Sequence, residues 1–261
     1  MSKQHRSSIT SNTYRFFVPP EALEGGRFAL EDAELAHQLG TVLRLRPGDR
    51  VMLLDSQGWQ YTVRLEELTR RAVAGAVEDR APAGGEPRAA LTLYPALIRA
   101  ERFEWLLQKG TELGAAAFVP LVCARSAAGD ADGAARKRER WGRILREAAE
   151  QSRRARLPDL GAPLPFAAAC AQAAASDLAL LLWEGDGAEP LRRVLRARAG
   201  APPQRIAILS GPEGGLTDEE RAAAQAHGIV AVTLGPRTLR AETAPLAAAA
   251  MTLYELGDMG D

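Results

Sequence analysis

Cysteine, histidine and lysine are all scarce in this 261-residue chain, and each scarcity excludes something. Cys123 and Cys170 lie far apart with no CxxC spacing, so neither a disulfide framework nor a cysteine metal cluster is supported. His5, His37 and His227 share no ligand spacing, and no metal site is expected. No apolar run approaches the roughly 18–20 residues that a bilayer span needs. Residues 1–13 are polar and lack the apolar centre of a signal peptide. Aromatics make up 5% of the chain, too few for a protein that stacks single-stranded nucleic acid along its surface. Phosphate-loop motifs are missing too: there is no GxxxxGK followed by Ser or Thr, and Gly211 to Gly215 does not spell GxGxxG. What is there is ordinary globular composition, 46% hydrophobic and 25% charged, with length for a buried core and two domains. A cytoplasmic protein that spans no membrane is expected.

The formal net charge of zero hides an uneven distribution. From Ala135 to Arg156 there are 9 basic residues against 3 acidic, whereas from Leu157 onward there are 8 against 13. A surface that binds polyanions everywhere is therefore disfavoured, but one basic stripe remains. Only Lys3, Lys109 and Lys137 are lysines, so the basic side chains are nearly all arginine, whose fork suits phosphate.

Residues 1–13 read as a disordered tail. From 14 to 80, short strands alternate with turn signals such as Pro47-Gly48-Asp49 and Ser56-Gln57-Gly58, with one helix from Glu31 to Leu43. That pattern predicts a small β-barrel. Residues 81–88, rich in Ala, Pro and Gly, read as a linker. From 89 to 261, apolar runs at Leu91–Leu97, Ala117–Val122, Leu178–Trp183, Arg205–Ser210 and Ile229–Leu234 alternate with helical stretches. Continuous apolar strands separated by helices predict an α/β domain with a parallel sheet covered on both faces. Thr217 and Glu220 form a capping box opening one helix. A basic helix is expected over Arg136–Arg154, with Trp141, Ile144, Leu145 and Ala148 on its core face.

Three of these strands run into glycine-bearing loops: Leu182-Trp183-Glu184-Gly185, Ser210-Gly211-Pro212-Glu213-Gly214-Gly215, and Leu234-Gly235-Pro236-Arg237. In a parallel sheet such loops emerge at the carboxyl ends of strands, where α/β proteins bind ligands. Glycine lets backbone N–H and C=O groups approach a ligand closely, which suits an adenine-containing molecule. Tight turns and helix caps account for each loop taken singly.

The segment Leu234-Gly235-Pro236-Arg237-Thr238-Leu239-Arg240-Ala241-Glu242-Thr243-Ala244-Pro245, together with Ser210 to Leu216, resembles the ribosomal RNA small subunit methyltransferase E family, of the SPOUT class. Further matches are Arg15-Phe16-Phe17-Val18, His37 with Val42 to Asp49, Gln108 to Gly114 with Pro120-Leu121, and Glu150-Gln151-Ser152 with Arg154, Arg156 and Pro158. The chain departs from that pattern in Gly110, where alanine is usual, and Ala124, where glutamate is frequent. Ser56 and Arg153 stand where the family has glycine.

The resemblance implies a PUA-like barrel followed by a SPOUT domain with a C-terminal trefoil knot, acting as a homodimer. The implied reaction is S-adenosyl-L-methionine-dependent methylation of N3 of a uridine in the decoding region of 16S ribosomal RNA, on the small ribosomal subunit. Implied cofactor contacts are Leu182, Trp183, Glu184, Gly185, Ser210, Gly211, Pro212, Gly214, Leu234, Gly235, Arg237, Leu239, Thr243 and Ala244.

Uracil N3 is a poor nucleophile until it loses its proton, so the chemistry needs orientation, deprotonation and exclusion of water. Arg240 and Arg237 could hold a phosphate or the developing charge on uracil oxygens. Glu242 is the first choice for a base or orienting group and Glu213 the second, although both stand beside helix starts that favour acids for their own reasons. Solvent or a ligand group is the alternative base. Candidate RNA contacts are Arg15, Arg44 and Arg46 in the barrel, and Arg143, Arg146, Arg154 and Arg156 along the basic stripe. Two other readings stay open: a non-catalytic RNA-binding or ribosome-assembly factor keeping the fold, and a dinucleotide-dependent oxidoreductase with an unorthodox loop.

Overall fold

The computed structural model describes residues 14–126 and 130–260; the expected tail lies outside them. The described residues form two compact units, 14–85 with 153–156, and 86–126 and 130–152 with 157–260.

The first unit is built on β1 (Arg15–Phe17), β2 (Arg27–Glu31), α1 (Ala33–His37), β3 (Arg50–Leu54), β4 (Trp59–Leu68) and β5 (Ala72–Pro82). A 3-10 turn, Pro20–Leu23, precedes β2, and a π-helical turn, Gln38–Val42, follows α1. Asp32 starts α1 by accepting hydrogen bonds from the Glu34 and Leu35 amides. The strands pair in the order β1-β3-β4-β5-β2, parallel between β1 and β3 and otherwise antiparallel. The pairing gives a curled mixed sheet with β1 and β2 at its edges. Register shifts in the β4–β5 pair, at Thr62/Val63 and Leu65/Glu67, supply the curl. Phe28, Leu39, Val51, Leu53, Val63 and Leu65 are fully buried in this sheet's core.

One sequence expectation shifts here. Ala81 and Pro82 are not linker but the end of β5, paired with Gln60 and Trp59. Trp59 is exposed, with the Arg80 guanidinium 4.0 Å above its ring.

The departures from the family pattern now have physical content. Ser56 and Arg153 carry φ of +58° and +61°, the left-handed region where glycine is at ease. Each L-residue there costs about 1 kcal/mol. Gly110 packs so closely that a Cβ would sit 2.7 Å from the Phe118 ring and 3.2 Å from Leu93, so the bulk of Phe118 excludes the usual alanine. Nothing in the structure explains Ala124.

The second unit comprises β6 (Ala90–Pro95), α2 (Ala100–Glu112), β7 (Ala117–Phe118), β8 (Leu121–Val122), α3 (Asp130–Gln151), β9 (Asp159–Leu160), β10 (Leu164–Pro165), α4 (Phe166–Ala173), β11 (Leu178–Leu182), β12 (Glu189–Pro190), α5 (Leu191–Arg196), β13 (Arg205–Ser210), α6 (Asp218–Ala226), β14 (Val230–Thr233) and α7 (Thr243–Glu255). Seven strands form a parallel sheet in the order β12-β14-β11-β13-β6-β7-β9, and β8 pairs with β10. Alternation along each strand divides the core. Leu91, Leu93, Leu178, Leu180, Ile206 and Ile208 join the cluster under α2, α3, α5 and α7. Ala179, Leu181, Ala207 and Leu209 face the other way, into the cluster under α4 and α6. Each leucine or isoleucine buried in this way contributes about 1.5–3 kcal/mol.

Candidate active site

The four central strands β14, β11, β13 and β6 are parallel neighbours, so their carboxyl ends lie in one row and their loops share one edge of the sheet. The Trp183 amide continues the β11–β14 ladder by donating to Val232 O at 2.9 Å, and Ala96 N donates to Ser210 O at 2.9 Å across β6 and β13. Thus Trp183 and Ser210 stand where their strands stop.

The loop after β13 is tightly built. Gly215 N donates back to Pro212 O at 2.9 Å, and the Arg125 guanidinium donates to Gly214 O at 2.9 Å and Leu216 O at 3.3 Å. At Gly211 a Cβ would meet Leu216 Cγ at 2.8 Å. Beyond the loop, Thr217 and Glu220 form the expected capping box: Glu220 N donates to Thr217 Oγ1 and Thr217 N donates to Glu220 Oε2. The other oxygen of Glu220 accepts from Ala124 N at 2.8 Å, which fixes the segment after β8 to this loop.

After β14, Gly235 adopts φ +119° and its amide donates to Thr233 Oγ1 at 3.2 Å. The chain then runs exposed through Arg237 and Arg240 before Thr243 N and Ala244 N donate to Arg240 O, opening α7. Glu242 sits at the N-cap yet makes no capping hydrogen bond. Its carboxylate is buried, with Oε1 at 3.7 Å from Arg102 Nε and 4.0 Å from Arg240 Nη1. Oε2 has no hydrogen-bond partner.

Two more buried polar atoms at this edge lack partners, Trp183 Nε1 and Ser210 Oγ. Native interiors rarely leave such groups unpaired, because desolvation without a hydrogen bond costs about 1–3 kcal/mol. Unpaired donors and acceptors beside close-approach glycines fit a polar ligand held partly by backbone. The Arg221 guanidinium lies over the Trp183 ring, 5.2 Å from its centroid.

The thiols play no part in such chemistry. Burial pushes the Cys123 thiol up to about 12 and the Cys170 thiol up to about 11, with the Glu220 carboxylate adding to both shifts. Both remain protonated at neutral pH and are poor nucleophiles.

Among the sequence-predicted residues, the structure gathers Leu182, Trp183, Ser210, Gly211, Leu234, Gly235 and Glu242 at one sheet edge, and Glu213 joins Glu242 through Arg102. Glu184, Gly185, Pro212, Gly214, Arg237, Leu239, Thr243 and Ala244 lie on the same loops and on the start of α7.

The basic stripe needs correction. The helix stops at Gln151, and residues 153–156 belong to the first unit. Arg154 is 2% exposed and is withdrawn as an RNA contact. The Arg156 guanidinium donates to Gln57 O at 2.8 Å and to Ser56 O, which commits it to a turn of the curled sheet. Arg15 is half-buried, its Nη1 on Met52 Sδ at 3.3 Å; burial and the nearby Arg153 charge lower its pKa. Arg44, Arg46, Arg143 and Arg146 are exposed.

Arg102, absent from the sequence-predicted set, also stands at this site. It bridges Glu213, at 3.6 Å, and Glu242. A signal was available: it is a cation in the first turn of α2, where the helix dipole disfavours positive charge.

The family described as RNA methyltransferase domain matches residues 85–253. A Synechocystis protein named ribosomal RNA small subunit methyltransferase E is 37% identical, over 95% of this chain and 80% of its own length. Its Bacillus subtilis namesake is 32% identical, over 89% and 91%. Among solved structures, the namesake from Neisseria gonorrhoeae, bound to S-adenosyl methionine, superposes with a TM-score of 0.82 at 30% identity. That match covers 93% of this chain and 98% of the other.

Proposed function

Because the chain belongs to the ribosomal RNA small subunit methyltransferase E family, we propose that it transfers a methyl group from S-adenosylmethionine to N3 of a uridine in the decoding region of 16S ribosomal RNA, on the small subunit. The observation that carries the reading is the set of buried, unpaired atoms at one sheet edge: Trp183 Nε1, Ser210 Oγ and Glu242 Oε2. They ask for a polar ligand at the place where this class of sheet binds one.

When bound, the cofactor supplies an electrophilic sulfonium methyl group. The chain's own residues do the rest. Backbone of the Gly211, Leu234–Gly235 and Leu239 loops would hold the adenosine and methionine parts, together with Leu182, Trp183 and Ser210. Arg240 and Arg237, exposed and close to the loop tips, hold phosphate or the negative charge that grows on uracil oxygens. Glu242 orients the N3–H group or takes its proton, and Glu213 stands behind it as the second carboxylate.

The curled sheet is read as a PUA-like RNA-binding domain, with Arg44 and Arg46 exposed near the π-helical turn. The trefoil knot is read from the family resemblance alone; α7 follows β14 and packs on α2, α5, β6 and β13. Exposed Trp105, Met251 and Tyr254, on the adjoining helices α2 and α7, support a homodimer. No helix among the described residues is long and apolar enough to cross a membrane.

Labelled methyl transfer to small ribosomal subunits lacking the modification tests this function. Incorporation into the RNA supports it, and none overturns it. The RNA surface has its own test. Replacing Arg143 and Arg146 together by alanine weakens RNA binding and lowers the slope of log K against log salt by up to about 2, near one per lost phosphate contact. An unchanged slope in filter binding across salt concentrations removes α3 from that surface.

A further inference from the structure

The ion pairs around Glu242 point to a residue that no sequence motif marks. Arg102, in the first turn of α2, is half-exposed and sends Nη1 toward Glu213 Oε1 at 3.6 Å and Nε toward Glu242 Oε1 at 3.7 Å. One guanidinium therefore ties the loop after β13 to the loop before α7. Glu242 is 8% exposed, and the other cation near it, Arg240, lies 4.0 Å away on a side chain that is 75% exposed. Burying a carboxylate without hydrogen bonds is costly unless a cation stands by. Arg102 is the less mobile of the two cations, since it is anchored on a helix and on a second carboxylate. It engages Oε1 alone, and Oε2 is left without a partner.

We propose that Arg102 is a positioning residue for methyl transfer: it holds the Glu242 carboxylate by one oxygen and leaves the other free for the reactants. The inference rests on the methyltransferase reading above. Arg102 touches no reactant itself and acts through Glu242. The cofactor-holding backbone has ties besides Arg102, with Gly215 N on Pro212 O, Arg125 on Gly214 O and Leu216 O, and Gly235 N on Thr233 Oγ1, so loss of Arg102 is expected to affect turnover far more than cofactor affinity.

The test is a mutant cycle on the full chain with Arg102→Met, Arg102→Lys, Glu242→Gln and the Arg102→Met/Glu242→Gln double variant. Arg102→Met is expected to lower kcat at least tenfold, with KM for S-adenosylmethionine changed less than about threefold. Arg102→Lys, which keeps the charge, is expected to recover most of kcat. The double variant should be no slower than Glu242→Gln alone, because a residue acting through Glu242 has nothing left to act on. Calorimetric titration with S-adenosylhomocysteine supplies a readout apart from activity, and its dissociation constant should stay within about threefold of wild type in Arg102→Met. Additive losses in the double variant, a wild-type kcat in Arg102→Met, or a large loss of calorimetric affinity would each overturn the proposal while wild type remains active. A wild-type chain that binds cofactor but transfers no methyl group would overturn the enzymatic reading, and this inference with it.

Discussion

Arg240→Ala is expected to lower kcat by about a hundredfold or more, the usual loss when one preorganised charge-stabilising donor is removed. The reason lies in its setting. The Arg240 side chain is 75% exposed, and its one ion pair among the described residues is the 4.0 Å contact to Glu242. Little of the fold depends on it, so it remains available to an incoming anion. Its backbone carbonyl, which accepts from Thr243 N and Ala244 N to open α7, survives the substitution. Affinity for S-adenosylhomocysteine should therefore hold within about threefold, and the melting temperature should hardly move. Steady-state kinetics alongside calorimetry separate the two quantities. A large loss of cofactor affinity with turnover intact at saturation would move Arg240 from the reaction to the cofactor pocket.

Gly211→Ala is the complementary case, in which binding is expected to fail first. The added Cβ would lie 2.8 Å from Leu216 Cγ and 3.3 Å from Leu216 N. Leu216 is buried and has little room to retreat, and Arg125 holds the backbone on either side of Gly215. The loop must shift at its root, next to the unpaired Ser210 Oγ. Overpacking of this kind costs about 1–3 kcal/mol. Taken out of binding, that is roughly a fivefold to 150-fold weaker S-adenosylhomocysteine complex. Gly214→Ala is the control: its Cβ would lie 3.2 Å from Arg125 Cβ, a less severe approach than the 2.8 Å at Gly211, and the loss should be smaller. Equal affinities for wild type and Gly211→Ala would show that this loop does not line the cofactor site.

Much of this geometry was legible in the sequence because it is set locally. Apolar runs of strand length, separated by helices, specify a parallel sheet, and glycine loops at the ends of three of them mark the edge where the unpaired polar atoms lie. The capping box at Thr217 and Glu220 is a four-residue signal and formed as read. Other features depend on partners remote in sequence. Arg102 gains meaning only when folding brings Glu213 and Glu242 to it. Arg154 and Arg156 looked like a continuation of the basic helix, but Arg153 takes a left-handed φ that no helix interior holds, and the chain turns into the first unit. The end of β5 was hidden by composition, since Ala81 and Pro82 resemble a linker while their backbone pairs with β4.

The central claim is methyl transfer to a single uridine N3. The most direct measurement combines this protein, S-adenosylmethionine and small ribosomal subunits that lack native uridine N3 methylation, followed by reverse transcription of the RNA. Methylation at N3 blocks Watson–Crick pairing, so the account predicts one new stop, at a decoding-region uridine, which is absent without cofactor and strongly reduced with the Arg240→Ala variant. Methyl incorporation without any new stop, or stops scattered over many positions, would contradict it.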